Sequence, residues 1–234
     1  MSRAAAEVGG VSPSPNIWNS PAVYEWENEA FDPEQLVESA ICSLQPPRGG
    51  RVLDIGCGSG FHLPWWSRAG ALVVGLEPHP PLAQLAAQRT RGMSVTVVGG
   101  EAGRLPFAAD TFDLVLARWA YFFGPGCEPG LDQVERVLRP GGVAAFLDND
   151  VNRSTFGSWF RDAHPAYDPA AVERFWGRKG FAPIRIHSRW ECPDRARFEA
   201  IIGIEFDSQV AARILANHPG MSVDYAVTLW WRRY

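Results

Sequence analysis

The sequence predicts an α/β fold: a doubly wound seven-stranded sheet, mostly parallel with an antiparallel last strand, and helices on both faces. Short, predominantly apolar runs recur at 52–55, 72–76, 94–98, 112–118 and 143–148, the first of them bounded by glycines. Runs that are apolar throughout, rather than alternating, belong to strands covered on both faces. Helical segments separate them, the order that parallel βα units require. The first run opens into a turn holding Gly56, Gly58 and Gly60, and the second ends in an acid, Glu77.

In chain order, residues 1–16 are small and rich in Gly, Pro and Ser, and are expected to be a disordered tail. Residues 17–46 are expected to form an N-terminal helical cap, with Trp18, Tyr24, Trp26 and Phe31 at helical spacing. Asp32, Pro33 and Gln35 read as N-cap, first-turn proline and capping-box partner of a helix running to Leu44. A single domain over 47–234 follows. Its helices are expected near 61–68, 80–91 and 131–138, with a turn at 139–142. Beyond 150 the pattern changes. A polar and aromatic insertion occupies 150–167, and Asp168 with Pro169 caps a helix ending at Gly180. Strands at 183–190 and 223–231 flank one long helix over 194–216. Because so many large apolar groups would leave an exposed patch on a free tail, the N-terminal segment is expected to close over the crevice as a lid, with Tyr24 touching substrate; the alternative is that its aromatics simply cover the sheet's flank.

Glycine suits the turn because it accepts positive φ and lets a ligand approach the backbone. An acid about twenty residues after the first glycine is where Rossmann-like folds hold a ribose diol. Two details select the nucleoside. Phe61 stands where a dinucleotide site needs its third glycine, and Asp54 would repel a pyrophosphate while favouring an ammonium and a sulfonium. The stretch from Asp54 through Gly56, Cys57, Gly58 and Ser59 to Gly60 resembles the first motif of class I S-adenosylmethionine-dependent methyltransferases. The sequences around Glu101 to Phe107, Asp110 to Asp113 and Leu138 to Gly142 resemble the small-molecule branch typified by ubiquinone- and biotin-pathway enzymes (methyltransferase type 11-like). The resemblance covers residues 31–142. It implies S-adenosyl-L-methionine as cofactor and S-adenosyl-L-homocysteine as product. It also implies ribose binding at Glu77 beside Pro78, and adenine binding by the Glu101 carboxylate and the Ala102 amide.

Ligands in such sheets lie beyond the strand carboxyl ends. Arg118 is therefore a cofactor candidate, and Trp119, Tyr121 and Asp148 are substrate candidates. Trp119 and Tyr121 could stack on an acceptor or hold a sulfonium, or simply pack in the core. No convincing base stands out; His62 and Asp150 are the candidates if the acceptor must lose a proton.

Composition narrows the partners. The net charge is −4 and no basic cluster marks a nucleic-acid face. The four cysteines are scattered without a CxxC pair, which argues against a structural metal site or a disulfide framework. No run reaches membrane-spanning length and no secretory leader is visible. A bacterial, cytoplasmic monomer or homodimer acting on a small, apolar or aromatic acceptor is the expectation. A non-catalytic S-adenosylmethionine-binding regulatory partner and an NAD-dependent oxidoreductase are the alternatives.

Overall fold

The computed structural model describes residues 14–234. Seven strands form one sheet: β1 (Arg51–Ile55), β2 (Leu72–Glu77), β3 (Val95–Gly99), β4 (Phe112–Arg118), β5 (Leu138–Asn149), β6 (Ala182–Glu191) and β7 (Ser222–Arg233). Their order is β3-β2-β1-β4-β5-β7-β6. The first five pair in parallel and the last strands are antiparallel. The helices are α1 (Pro15–Asn19), α2 (Pro21–Ala30), α3 (Leu36–Leu44), α4 (Leu63–Arg68), α5 (Pro80–Arg89), α6 (Glu128–Val137), α7 (Thr155–Ala163), α8 (Pro169–Arg178), α9 (Arg195–Glu205) and α10 (Ser208–Asn217). The chain divides into two compact units. Among the described residues, one comprises 14–36, 149–167 and 185–227; the other comprises 37–148, 168–184 and 228–234.

In the larger unit the sequence dictates the strands directly. Val52, Leu53, Ile55, Leu114, Val115, Leu116, Val143 and Ala144 are all at most 2 % exposed, as parallel strands under two helical layers must be. Phe122 stacks on Phe146 with ring centroids 4.1 Å apart, and Trp176 packs against Phe146, Phe181 and Trp230. Asp168 caps α8 as expected, accepting from the Ala171 amide at 3.0 Å. Asp168→Ala should lower stability by about 1 kcal/mol, read as a lower urea midpoint at unchanged m-value; no change would show that the cap contributes nothing.

In the other unit the N-terminal aromatics are packed, not free. Phe31 bridges to Trp190 and its ring lies 5.4 Å from Tyr225. Phe156, Trp190 and Tyr225 complete the cluster at 4.3–5.1 Å. Arg197 covers the Trp26 ring and pairs with Glu29.

Several local readings are corrected by tertiary pairing. Asp32 is not an N-cap: Asp32 and Gln35 take positive φ (54° and 55°) and the helix starts at Leu36. The Asp32 amide bonds to the Arg189 carbonyl and its carboxylate accepts the Ser188 hydroxyl at 2.7 Å, so pairing with β6 overrides the capping pattern. The expected turn at 139–142 lies within β5, where Gly141 and Gly142 exchange backbone bonds with Tyr234. The long helix over 194–216 is two, because Asp207 caps a new start by accepting from the Gln209 and Val210 amides. The insertion at 150–167 contains α7. Of the tail expected over 1–16, residues 1–13 lie outside the described residues, and Pro15 and Asn16 already belong to α1.

Candidate functional site

The strands of the larger unit place the site. Ile55 is in register with both Leu76 and Ala117, so β1, β2 and β4 end together and bring Gly56, Glu77 and Arg118 to one end of the sheet. The glycine turn is tied down there. The Gly56 and Cys57 amides donate to the Leu76 carbonyl at 2.8 and 3.1 Å. The Gly58 amide donates to Glu77 Oε2 and the His79 amide to Glu77 Oε1, both at 2.9 Å. Arg89, from α5, donates to the carbonyl and hydroxyl of Ser59.

All three glycines have positive φ, and two are also required sterically by the protein itself. A Cβ on Gly56 would stand 2.5 Å from the Ala120 methyl, and one on Gly60 would stand 2.8–2.9 Å from Ala86. Gly75, in the middle of β2, is a third contact that the sequence reading missed. A Cβ there would lie 2.8 Å from Cys57 Sγ, so the bare strand leaves room for the turn. A glycine inside an apolar strand is the signal that could have revealed it.

Beneath the turn lies a buried charge cluster. Arg118, at the end of β4, has a side chain 7 % exposed and donates from Nη2 to Glu38 Oε1 at 2.8 Å. Its Nε and Nη1 are buried without a hydrogen-bond partner. His62 Nδ1 lies 3.6 Å from the same Glu38 oxygen. Burial works against the charged form of Glu38, but Arg118 and His62 overrule it and hold the carboxyl well below the usual carboxylate range. Asp54 goes the other way. Burial, with a smaller push from Glu77, raises it to about 7 although Arg118 pulls it down. Burial also raises Glu77 and the Cys57 thiol, against the two amides bonded to Glu77.

Asp54 therefore costs stability at neutral pH. Below the unfolded carboxylate pKa it is protonated in both states and contributes nothing. As pH rises towards 7 the unfolded chain loses the proton first, and stability falls. Asp54→Asn should match wild type near pH 4 and exceed it by about 1–3 kcal/mol at pH 8. Urea unfolding at both pH values checks this, and an equal difference at the two would refute the assigned cause.

The structure gathers most of the sequence candidates in this unit. Glu101 sits in a turn after β3, exposed, with the neighbouring Gly100 amide 3.4 Å from the Glu77 carbonyl. Ala102 is buried beside it, and Pro78 is half-buried directly after β2. Asp148 is buried at the end of β5. Trp119 and Tyr121 both take left-handed backbone, φ 45° and 58°, a strained geometry that clusters at functional sites. The Tyr121 ring lies against Phe122 and so close to Gly130 that a Cβ there would come within 2.3 Å, so much of its surface serves packing. Glu38 was missed: an acid in an amphipathic helix, eighty positions from its partner, gives no signal in sequence.

Tyr24 and Asp150 belong to the other unit. Tyr24 is half-buried near Glu27 and Glu205; burial raises its hydroxyl and both carboxyls, Glu205 to about 7, and the Asn16 amide donates to Glu205. Asp150 pairs with Arg185 at 2.9 Å and Arg153 at 3.1 Å and accepts from the Asn152 amide. Among the described residues no group of three His, Cys, Asp or Glu could hold a metal ion, and no helix is long and apolar enough to cross a membrane.

Comparison with known proteins agrees with this geometry. A family described as a methyltransferase domain matches residues 53–146. The chain is 32% identical over 120 residues to methyltransferase GfsG of Streptomyces halstedii, covering 49% of this chain and 43% of that one. It is 36% identical over 99 residues to the demethylmenaquinone methyltransferase of Corynebacterium kroppenstedtii, covering 42% of each. It spans about half the length of the curated relatives it matches. An S-adenosylmethionine-dependent methyltransferase from Aquifex aeolicus shares the fold with a TM-score of 0.54 at 18% identity, over 89% of this chain and 97% of that one. With its glycine turn, its spaced acid and its strand order, the chain is similar over residues 53–146 to methyltransferase domains, and its fold is that of S-adenosylmethionine-dependent methyltransferases of known structure.

Proposed function

We propose that this chain moves a methyl group from S-adenosylmethionine to a small, apolar or aromatic acceptor. One observation supports it above the others: a buried arginine with two unpartnered nitrogens shares a cluster with a buried acid, next to the glycine turn. A zwitterionic amino-acid end complements that pair, carboxylate to Arg118 and ammonium to Asp54. Glu77 keeps spare lone pairs beyond its two backbone bonds and suits a ribose diol. Glu101 and Ala102 would take the adenine edge.

When bound, S-adenosylmethionine supplies an electrophilic methyl on a sulfonium for in-line displacement. The protein's part is orientation and exclusion of water, which require no acid or base unless the acceptor carries a proton. Trp119 and Tyr121, following β4, are proposed to face the acceptor. His62 is proposed to tune the charge of the site through Glu38 and not to serve as a base. The small-molecule reading also rests on the slight net negative charge, which disfavours a nucleic-acid substrate.

Calorimetry with S-adenosylmethionine and S-adenosylhomocysteine tests the cofactor. A panel of small phenols, quinols and carboxylic acids scored for S-adenosylhomocysteine release tests the acceptor. Tight cofactor binding without turnover on any acceptor class would favour a regulatory binder instead. Asp54→Asn, stabilised at pH 8, is expected to bind S-adenosylhomocysteine more weakly, the trade of stability for function expected at a site that buries charge.

A further inference from the structure

We infer that Glu38 is a positioning residue for the amino-acid end of the cofactor, holding Arg118 by one nitrogen so that its remaining donors stay available to a ligand carboxylate. The inference rests on the cofactor reading above and extends it to a residue outside every motif of the chain.

A guanidinium carries five N–H donors in a rigid plane and accepts nothing. Arg118 is more than nine-tenths buried, and the one partner of its side chain that the structure shows is Glu38 Oε1, at 2.8 Å from Nη2. Nε and Nη1 are enclosed and unbonded. Buried donors of this kind are rare in folded proteins and call for a partner. A carboxylate fits best, because its two oxygens match the guanidinium fork. Asp54, which shares the cluster, is not bonded to Arg118, so those donors remain unused.

Glu38 fixes the orientation of that fork. It lies in the first turn of α3, its side chain is 9 % exposed, and the same oxygen lies 3.6 Å from His62 Nδ1 at the start of α4. It thus ties the end of β4 to the exit of the glycine turn. An arginine without this strut would have the freedom of its long stem, and would lose rotational entropy on every binding event. With the strut, its donors are set before the ligand arrives.

A purely structural ion pair and a positioning residue differ in what they do to ligands that lack the carboxylate. Three ligands separate the roles: S-adenosylhomocysteine, its decarboxylated form, and 5′-methylthioadenosine, which keeps the nucleoside and thioether alone. Affinities are measured by calorimetry for wild type, Glu38→Gln and Arg118→Lys, each first checked for folding by circular dichroism and thermal melting. Glu38→Gln should weaken S-adenosylhomocysteine about tenfold or more while changing the other two less than about twofold. Arg118→Lys, which keeps the charge but loses the fork, should show the same selectivity. If Glu38→Gln weakens all three equally, or none, Glu38 is only a structural partner. Should Glu38→Gln not fold, an Arg118→Lys loss shared by all three ligands overturns the inference just as well. Failure of wild type to bind any of the three overturns the cofactor reading and this inference with it.

Discussion

Gly60→Val is expected to abolish cofactor binding and to destabilise the larger unit by roughly 3–5 kcal/mol, a large part of the stability of an ordinary domain. Two separate costs add. Gly60 has φ +78°, where a β-branched side chain is strained by about 1–2 kcal/mol. The new Cβ would also stand 2.8 Å from the Ala86 Cβ and 2.9 Å from its Cα. Ala86 is fully buried in α5, so relief must come from backbone movement, and α5 carries the Arg89 that holds Ser59. The turn and its helix would therefore separate together. Urea unfolding and calorimetry with S-adenosylhomocysteine measure the two effects. A variant with wild-type stability would show that the turn is not packed on α5 in solution.

Glu77→Ala is expected to cost about 2–4 kcal/mol of cofactor affinity, against about 1–2 for Glu101→Ala. Both acids are proposed to meet the nucleoside, but their settings differ. Glu77 is 4 % exposed and its oxygens already accept from the Gly58 and His79 amides. Removing it deletes the ribose acceptors and also unbraces the glycine turn, which places its loss at the upper end. Glu101 is exposed, so water competes for its bond and less is lost. The same calorimetric titration ranks them, and equal or reversed losses would mean that one acid has the wrong partner.

The parallel strands and the glycine turn were legible because their causes are local. An apolar run bounded by glycines has few alternatives to a buried strand, and the spacing from Gly56 to Glu77 follows from one strand, one helix and one strand. The Asp168 cap was legible for the same reason. Local reasoning failed where a distant strand competed. Asp32 has the chemistry of a helix cap, yet its amide and carboxylate are used by Arg189 and Ser188 on β6. The Pro140-Gly141-Gly142 segment has the chemistry of a turn, yet Tyr234 pairs with it and keeps it in the sheet.

The site divides along the same line. Asp54, the three glycines, Glu77 and Arg118 could be placed at one end of the sheet from the sequence because strand ends locate them; their role toward the cofactor is the proposal made above. Three things were settled by folding alone. Asp54 is driven towards neutrality and Glu38 away from it by burial and by one shared arginine; charge state depends on surroundings that no spacing encodes. Asp150 has the chemistry of a base but is occupied by two arginines. Glu38 reaches Arg118 across eighty residues because α3 and the end of β4 become neighbours only in the folded chain. Sequence determines which residues stand at the strand ends, since backbone periodicity is local; tertiary structure decides which of them are charged and which are already partnered, since electrostatics and hydrogen bonding act through space.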